Sequence, residues 1–247
     1  MRRLAANAAL AATVLALSPL LLAQALQVRR VTPRLPEPEG AREGRHGLGP
    51  PLRLLILGDS AAAGVGASSQ EEALAGQLSA RLAPHFALHW HLLARSGDRV
   101  RDARRQLAAA PSLRSDVVLT SLGVNDVTAL RGAGTYLAEL RALVQELRAR
   151  GTRLFLVSGL PPMHAFPALP QPLRWALGAQ ARRFDARLAA WCRTQPDCLH
   201  LPFAAPLDRS MMASDGFHPG PPVYARWADA ATAGLLARWP AGAAASG

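Results

Sequence analysis

Leu54-Leu55-Ile56-Leu57-Gly58-Asp59-Ser60-Ala61-Ala62-Ala63-Gly64 decides the fold. Four apolar residues run into a glycine, and an Asp-Ser pair then opens onto small residues. This is the pattern of a buried strand that stops and turns into a helix. In an open α/β sheet that junction lies at the carboxyl edge of the strands, where ligands bind. The Ser60 hydroxyl is exposed there, and its N–H sits at a helix start, a position that favours anions. Asp-Ser before a helix is also an ordinary N-cap, so the choice between cap and reactive hydroxyl rests on the rest of the chain.

Further apolar runs occur at Leu52–Leu57, Phe86–Ala94, Val117–Leu122, Leu154–Ser158 and Cys198–Phe203, separated by helical patterns. Short buried runs alternating with amphipathic helices predict a parallel sheet covered on both faces. Ser68 and Ser69 each have a glutamate three positions on (Glu71, Glu72), a capping-box pattern ahead of Leu74, Leu78 and Leu82. A second helix reads as capped by Thr135, with Leu137, Leu140, Val144 and Leu147 as its stripe and Gly151 at its end. Leu177, Phe184, Leu188 and Trp191 mark a third, and a fourth runs from about Val223 to Leu236.

The 247 residues suffice for one α/β domain with an added segment. All 28 basic residues are arginine, and the formal net charge is +11. Residues 1–50 hold seven Arg and three Glu, leaving 21 Arg against 14 acids in the rest. Apart from a modest cluster at Arg99, Arg101, Arg104 and Arg105, these are interleaved with acids, and no zinc-finger, zipper or RNA-recognition signature accompanies them. A nucleic-acid partner is therefore not expected. Arg2 and Arg3 precede a mainly apolar run from Leu4 to Val28, long enough to span a bilayer. Ala23-Gln24-Ala25 also fits a signal-peptide cleavage site. Residues 1–28 thus read as either a signal peptide or a membrane anchor. Either would put the chain in the cell envelope, anchored at the inner membrane facing the periplasm or secreted there. Residues 29–51, rich in Pro, Gly, Arg and Glu, read as a flexible tether. Residues 52–238 form the domain, and 239–247 a disordered tail. Cys192 and Cys198 fit either a disulfide in an oxidising compartment or two unpaired core thiols.

Three features accompany Ser60. Gly97 follows the second strand, Gly123-Val124-Asn125-Asp126 ends the third, and Asp215-Gly216-Phe217-His218-Pro219 precedes the last helix. Each falls at a strand end or a loop–helix junction, so all can converge on one edge of the sheet. A serine hydroxyl needs a base to take its proton. Imidazole titrates near neutral pH, which suits His218 to that task. A carboxylate is then needed to orient the ring, and Asp215 is three residues away. A developing oxyanion needs donors, for which the Ser60 and Gly97 N–H groups and the Asn125 amide are candidates. Asp59 reads as a cap and Asp126 as a turn carboxylate. The apolar, proline-rich stretch Leu160–Pro170 suggests a greasy substrate-contacting wall, with Met163 and Phe166 as its contacts. His89 and His91 read as half-buried sheet residues, and His164 has no assigned role.

In this order and spacing, Gly58-Asp59-Ser60, Gly97, Gly123-Val124-Asn125-Asp126 and Asp215-Gly216-Phe217-His218 resemble the four sequence blocks of the SGNH hydrolases, or GDSL-type esterases. The resemblance covers residues 52–238. It implies a three-layer, flavodoxin-like α/β sandwich with about five parallel strands. It also implies Ser60 as nucleophile, His218 as base, Asp215 as its partner, and Ser60, Gly97 and Asn125 as the oxyanion hole. No metal or organic cofactor is expected. The first block reads Gly-Asp-Ser-Ala, departing from the fuller Gly-Asp-Ser-Leu form, so it does not name a subfamily. The substrate expected is a carboxylic ester of acyl or lysophospholipid type. Carbohydrate O-acetyl esters and thioesters are alternatives for the same residues, and a non-catalytic envelope binding module or a phosphate- or flavin-binding sheet are alternatives of another class.

Overall fold

The computed structural model describes residues 13, 15–203 and 207–239. Residues 1–12 and 14 of the N-terminal run, residues 204–206 and the tail from 240 onward lie outside the described residues. A six-stranded sheet runs in the order β1-β3-β2-β4-β5-β6. Its strands are β1 (Glu43–His46), β2 (Pro51–Gly58), β3 (Ala87–Ala94), β4 (Val117–Ser121), β5 (Leu154–Ser158) and β6 (Cys198–Leu201). The last five are parallel neighbours in the order β3-β2-β4-β5-β6. That is the doubly wound order whose switch point opens between β2 and β4. The five expected strands are all present; β1 is a sixth, paired antiparallel to β3.

The helices are α1 (Ser18–Val31), α2 (Ser60–Ala63), α3 (Leu74–Leu82), α4 (Val100–Ala109), α5 (Val124–Thr128), α6 (Ala133–Ala149), α7 (Leu173–Cys192) and α8 (Pro221–Arg238). Side chains alternate faces along a strand, so β2 feeds two cores. Leu55 and Leu57 face α4, α6 and α7, packing with Val118, Phe155, Leu140 and Phe184. Leu54 and Ile56 face α3 and α8, packing with Leu78, Leu119, Ala228 and Leu235. β2, β4 and β5 are buried on both faces and need continuous apolar sequence, which is why they stand out in the chain.

Several expectations change. The tether at 29–51 contributes the end of α1 and the whole of β1. Glu43 and Arg45 pair with His91 and His89 across the ladder. The Arg42 guanidinium donates to the Ala94 carbonyl and pairs with Glu37. Four polar or small residues carry no hydrophobic signal, so backbone pairing alone reveals this strand. α3 starts at Leu74 without a side-chain cap. Ser68 Oγ instead donates to Glu72 Oε2 at 2.6 Å, closing a turn ahead of the helix. α6 is preceded by Gly132, which leaves Thr135 inside its first turn. Gly151 does end that helix, at φ +94°. Cys192 and Cys198 are buried free thiols, pushed up by burial to about 11 and about 12. Trp239, expected in the tail, packs in the core with the Arg153 guanidinium 4.5 Å over its ring.

Candidate active site

β2 ends at Gly58, where a Cβ would come within 2.6 Å of the Ser121 carbonyl oxygen and 2.5 Å of the Ala62 Cβ. Only a glycine lets β2, β4 and α2 meet this closely. Asp59 then caps α2, its Oδ1 accepting the Ala61 N–H at 3.1 Å. The short helix stops at Gly64, which takes the left-handed conformation at φ +95°. Ser60 therefore stands at the carboxyl edge of the central strand.

The loop before α8 brings its partners. His218 Nε2 lies 2.9 Å from Ser60 Oγ. On the other side of the ring, Nδ1 lies 2.6 Å from Asp215 Oδ2. Asp215 Oδ1 accepts the backbone N–H groups of Phe217 and His218, at 2.9 and 3.0 Å. Burial raises the affinity of Asp215 for a proton, but these bonds from the His218 ring, His218 N–H and Phe217 N–H outweigh it. Its carboxyl stays below the usual range, so it faces the ring as an anion. With Asp215 ionised, Nδ1 carries the ring proton and Nε2 is left as the acceptor for the Ser60 hydroxyl proton.

Gly97 and Asn125 come to the same corner without lining the cleft. Gly97 adopts φ +87°. Asn125, in the first turn of α5, donates its amide to the Asp98 carbonyl at 2.9 Å and to Asp59 Oδ2 at 3.4 Å. It thus ties the loops after β2, β3 and β4 together. Asp59 is buried beside Ser60 with no cation bonded to it among the described residues, and burial pushes its carboxyl up to about 7. Asp126 is buried too and is pushed up to about 6 for the same reason. It accepts the Val100 N–H at 3.4 Å, bracing α4 against α5. Both acids hold turns, as the sequence suggests, but their burial has no sequence signal.

Ser60 and His218 open into a cleft continuous with solvent. Leu122, Val124, Leu160, Pro161, Phe166, Phe203, Leu207, Met212, Phe217 and Trp227 make its apolar wall. Phe166 is where the sequence suggests, packed edge-on against Phe217 at 5.1 Å, which in turn meets His218 at 5.3 Å. Met163 is not: it is fully buried, in the core beneath the wall. A one-turn 3₁₀ segment, Met163–Ala165, aims it inward while Phe166 faces the cleft. Trp227 escapes sequence reading because it sits on α8 among core positions. It turns its indole to Ser158, with Nε1 donating to Oγ at 3.1 Å. Among the described residues no cluster of three or more metal-ligating side chains occurs.

A flavodoxin-ordered sheet with a Ser-His-Asp constellation at its carboxyl edge defines a class of α/β acyl hydrolases. Residues 56–226 match the GDSL-like lipase/acylhydrolase family, and the chain belongs to that family. A GDSL-like esterase of Mycobacterium tuberculosis, Rv1075c, is 30% identical over 243 residues, spanning 85% of this chain and 74% of the relative. Among solved structures, the psychrotrophic esterase EstA from Pseudoalteromonas sp. superposes with a TM-score of 0.58 at 20% identity, covering 75% of this chain and 97% of its own. TesA gives 0.60 at 23% identity, covering 74% and 97%. The fold is therefore that of the SGNH hydrolases, and the family is one of ester-hydrolysing enzymes.

Proposed function

We propose that this chain is a serine esterase acting on carboxylic esters with an apolar acyl group, through an acyl-serine intermediate. The observation that carries the reading is the continuous chain Ser60 Oγ–His218–Asp215, at 2.9 and 2.6 Å. His218 Nε2 takes the Ser60 proton as Oγ bonds to the ester carbonyl carbon, and the carbonyl electron pair moves to oxygen. Collapse of this intermediate breaks the bond to the alcohol oxygen, which leaves with the proton from Nε2. Water then repeats the sequence on the acyl-serine, releasing the acid and restoring Ser60. General-base help of this kind is worth about 10²–10⁴ in rate. The Ser60 and Gly97 N–H groups have no acceptor among the described residues, which leaves both available to the oxyanion. The Asn125 amide joins them by loosening its long bond to Asp59. One such donor is worth about 10²–10³.

The apolar wall supports acyl or lysophospholipid-like esters over acetylated sugars, which need polar groups for their hydroxyls. The run from Leu4 to Val28 supports a site of action in the cell envelope. The test is hydrolysis of aryl esters of increasing acyl length by the wild type and Ser60→Ala. The wild type should prefer chains longer than acetyl, and the variant should lose essentially all turnover. A fluorophosphonate should modify Ser60. Unchanged turnover in Ser60→Ala would remove the reading, and preference for acetylated oligosaccharides would move the substrate class.

A further inference from the structure

α1 has two unlike sides. Leu21, Ala25 and Val28 pack on the domain core. Gln24 between them is bonded twice to the start of α7: its Nε2 donates to the Gln171 carbonyl at 2.7 Å and its Oε1 accepts the Leu173 N–H at 3.0 Å. The opposite side carries Leu22 and Leu26, one turn apart and 61% and 47% exposed, with Leu15 before them at 75%. A helix with one face seated on a protein and leucines on the other has a second apolar partner still to cover.

Charge identifies that partner. Arg29 and Arg30 close the helix and Arg34 follows. Their side chains make no ion pair or hydrogen bond among the described residues. The first acid of the chain is Glu37, and Arg2 and Arg3 stand before the apolar run. A second copy laid parallel on α1 would therefore set arginine against arginine. Anionic headgroups would neutralise this cluster. We propose that α1 is a membrane-surface helix: its leucine stripe beds into an anionic bilayer while its inner side holds the hydrolase domain against that surface. The helix is held to the domain through Gln24, so it lies along the protein and does not project from it as a spanning anchor. Among the described residues no helix is long and apolar enough to cross a membrane. The docked end adjoins the segment that supplies Leu160, Pro161 and Phe166 to the cleft. This inference is independent of the chemistry assigned to Ser60.

The test is co-sedimentation of the full-length chain with phosphatidylglycerol/phosphatidylcholine vesicles, beside vesicles of phosphatidylcholine alone. Binding to the anionic vesicles should be at least tenfold tighter and should weaken with salt. Leu22→Glu/Leu26→Glu should lower it at least tenfold while leaving thermal melting and hydrolysis of a soluble ester unchanged. Arg29→Gln/Arg30→Gln/Arg34→Gln should bind weakly and lose the salt dependence, and as exposed polar changes they test the claim without touching the fold. In native membranes, alkaline carbonate should release the protein. Equal vesicle binding by wild type and variants, retention after carbonate, or a dimer that the leucine variant dissolves without any vesicle binding would each overturn the proposal.

Discussion

Asp215 grips His218 by both ends, Oδ2 at 2.6 Å from the ring Nδ1 and Oδ1 at 3.0 Å from the backbone N–H. One carboxylate thus sets the ring's tautomer and the turn that presents it. Asp215→Ala should lower kcat by about 10²–10⁴ with a smaller change in KM. The folded-state pKa of Asp215 lies below its unfolded value of 3.8. Its contribution to stability is therefore complete above that value and is lost as pH falls through the folded one. Urea titrations between pH 6 and pH 2.5 should show a gap between wild type and variant that narrows on the acid side.

Asp59 carries the opposite sign. Its folded pKa of about 7 lies above 3.8, so the folded state holds a proton that the unfolded state releases. The ionised side chain penalises the fold as pH rises from about 4 to about 7. Asp59→Asn mimics the protonated form and still offers Ala61 an acceptor oxygen. Its Tm relative to wild type should rise between pH 5 and pH 8, by about 2–4 °C for each 1 kcal/mol of relief. A Tm difference that is flat with pH would show that Asp59 is not the group responsible.

Met163 and Phe166 should part company on substitution. Met163→Ala opens a hole in a sealed core, costing about 2–5 kcal/mol of stability, yet KM for a soluble ester should hold because the side chain does not line the cleft. Phe166→Ala should raise KM most for the longest acyl chains. A chain-length series with each variant, set beside its melting curve, separates the two.

Gly66 lies against the loop that carries His218. It has φ +103°, and a Cβ there would sit 2.2 Å from the Pro219 carbonyl oxygen. Gly151 has a similar φ of +94° with open space around it. Gly151→Ala should cost about 1–3 kcal/mol of backbone strain and leave kcat alone. Gly66→Ala should add a loss of kcat by pushing Pro219, and with it His218, off station.

The parts legible in the chain were those that write themselves in hydrophobicity or side-chain chemistry. β2, β4 and β5 are buried on both faces and so are spelled in aliphatic residues. The convergence of Ser60, Asp215 and His218 follows from the rule that parallel strands end on one side. The rest depended on information a linear pattern lacks. β1 has no apolar signature because its hold on the sheet is main-chain pairing. Met163 and Phe166 differ by three positions on a 3₁₀ turn, and nothing local says which faces inward. Asp59 looks like any cap, and only the three loops closing over it make its carboxylate costly to ionise.

The pairing of β1 with β3 bears on how the protein tolerates truncation. Trimming the polypeptide to its strongest homology would strip Glu43–His46 from the ladder and leave the main-chain donors and acceptors around His89 and His91 bare. A naked flank of that sort recruits neighbours and drives aggregation. The same cut would remove Glu37, whose carboxylate accepts the N–H and hydroxyl of Ser96, next to Gly97. A stretch whose composition suggests dispensable spacer thus acts as a selvedge, sealing the rim of the sheet and steadying the turn beside the reactive centre.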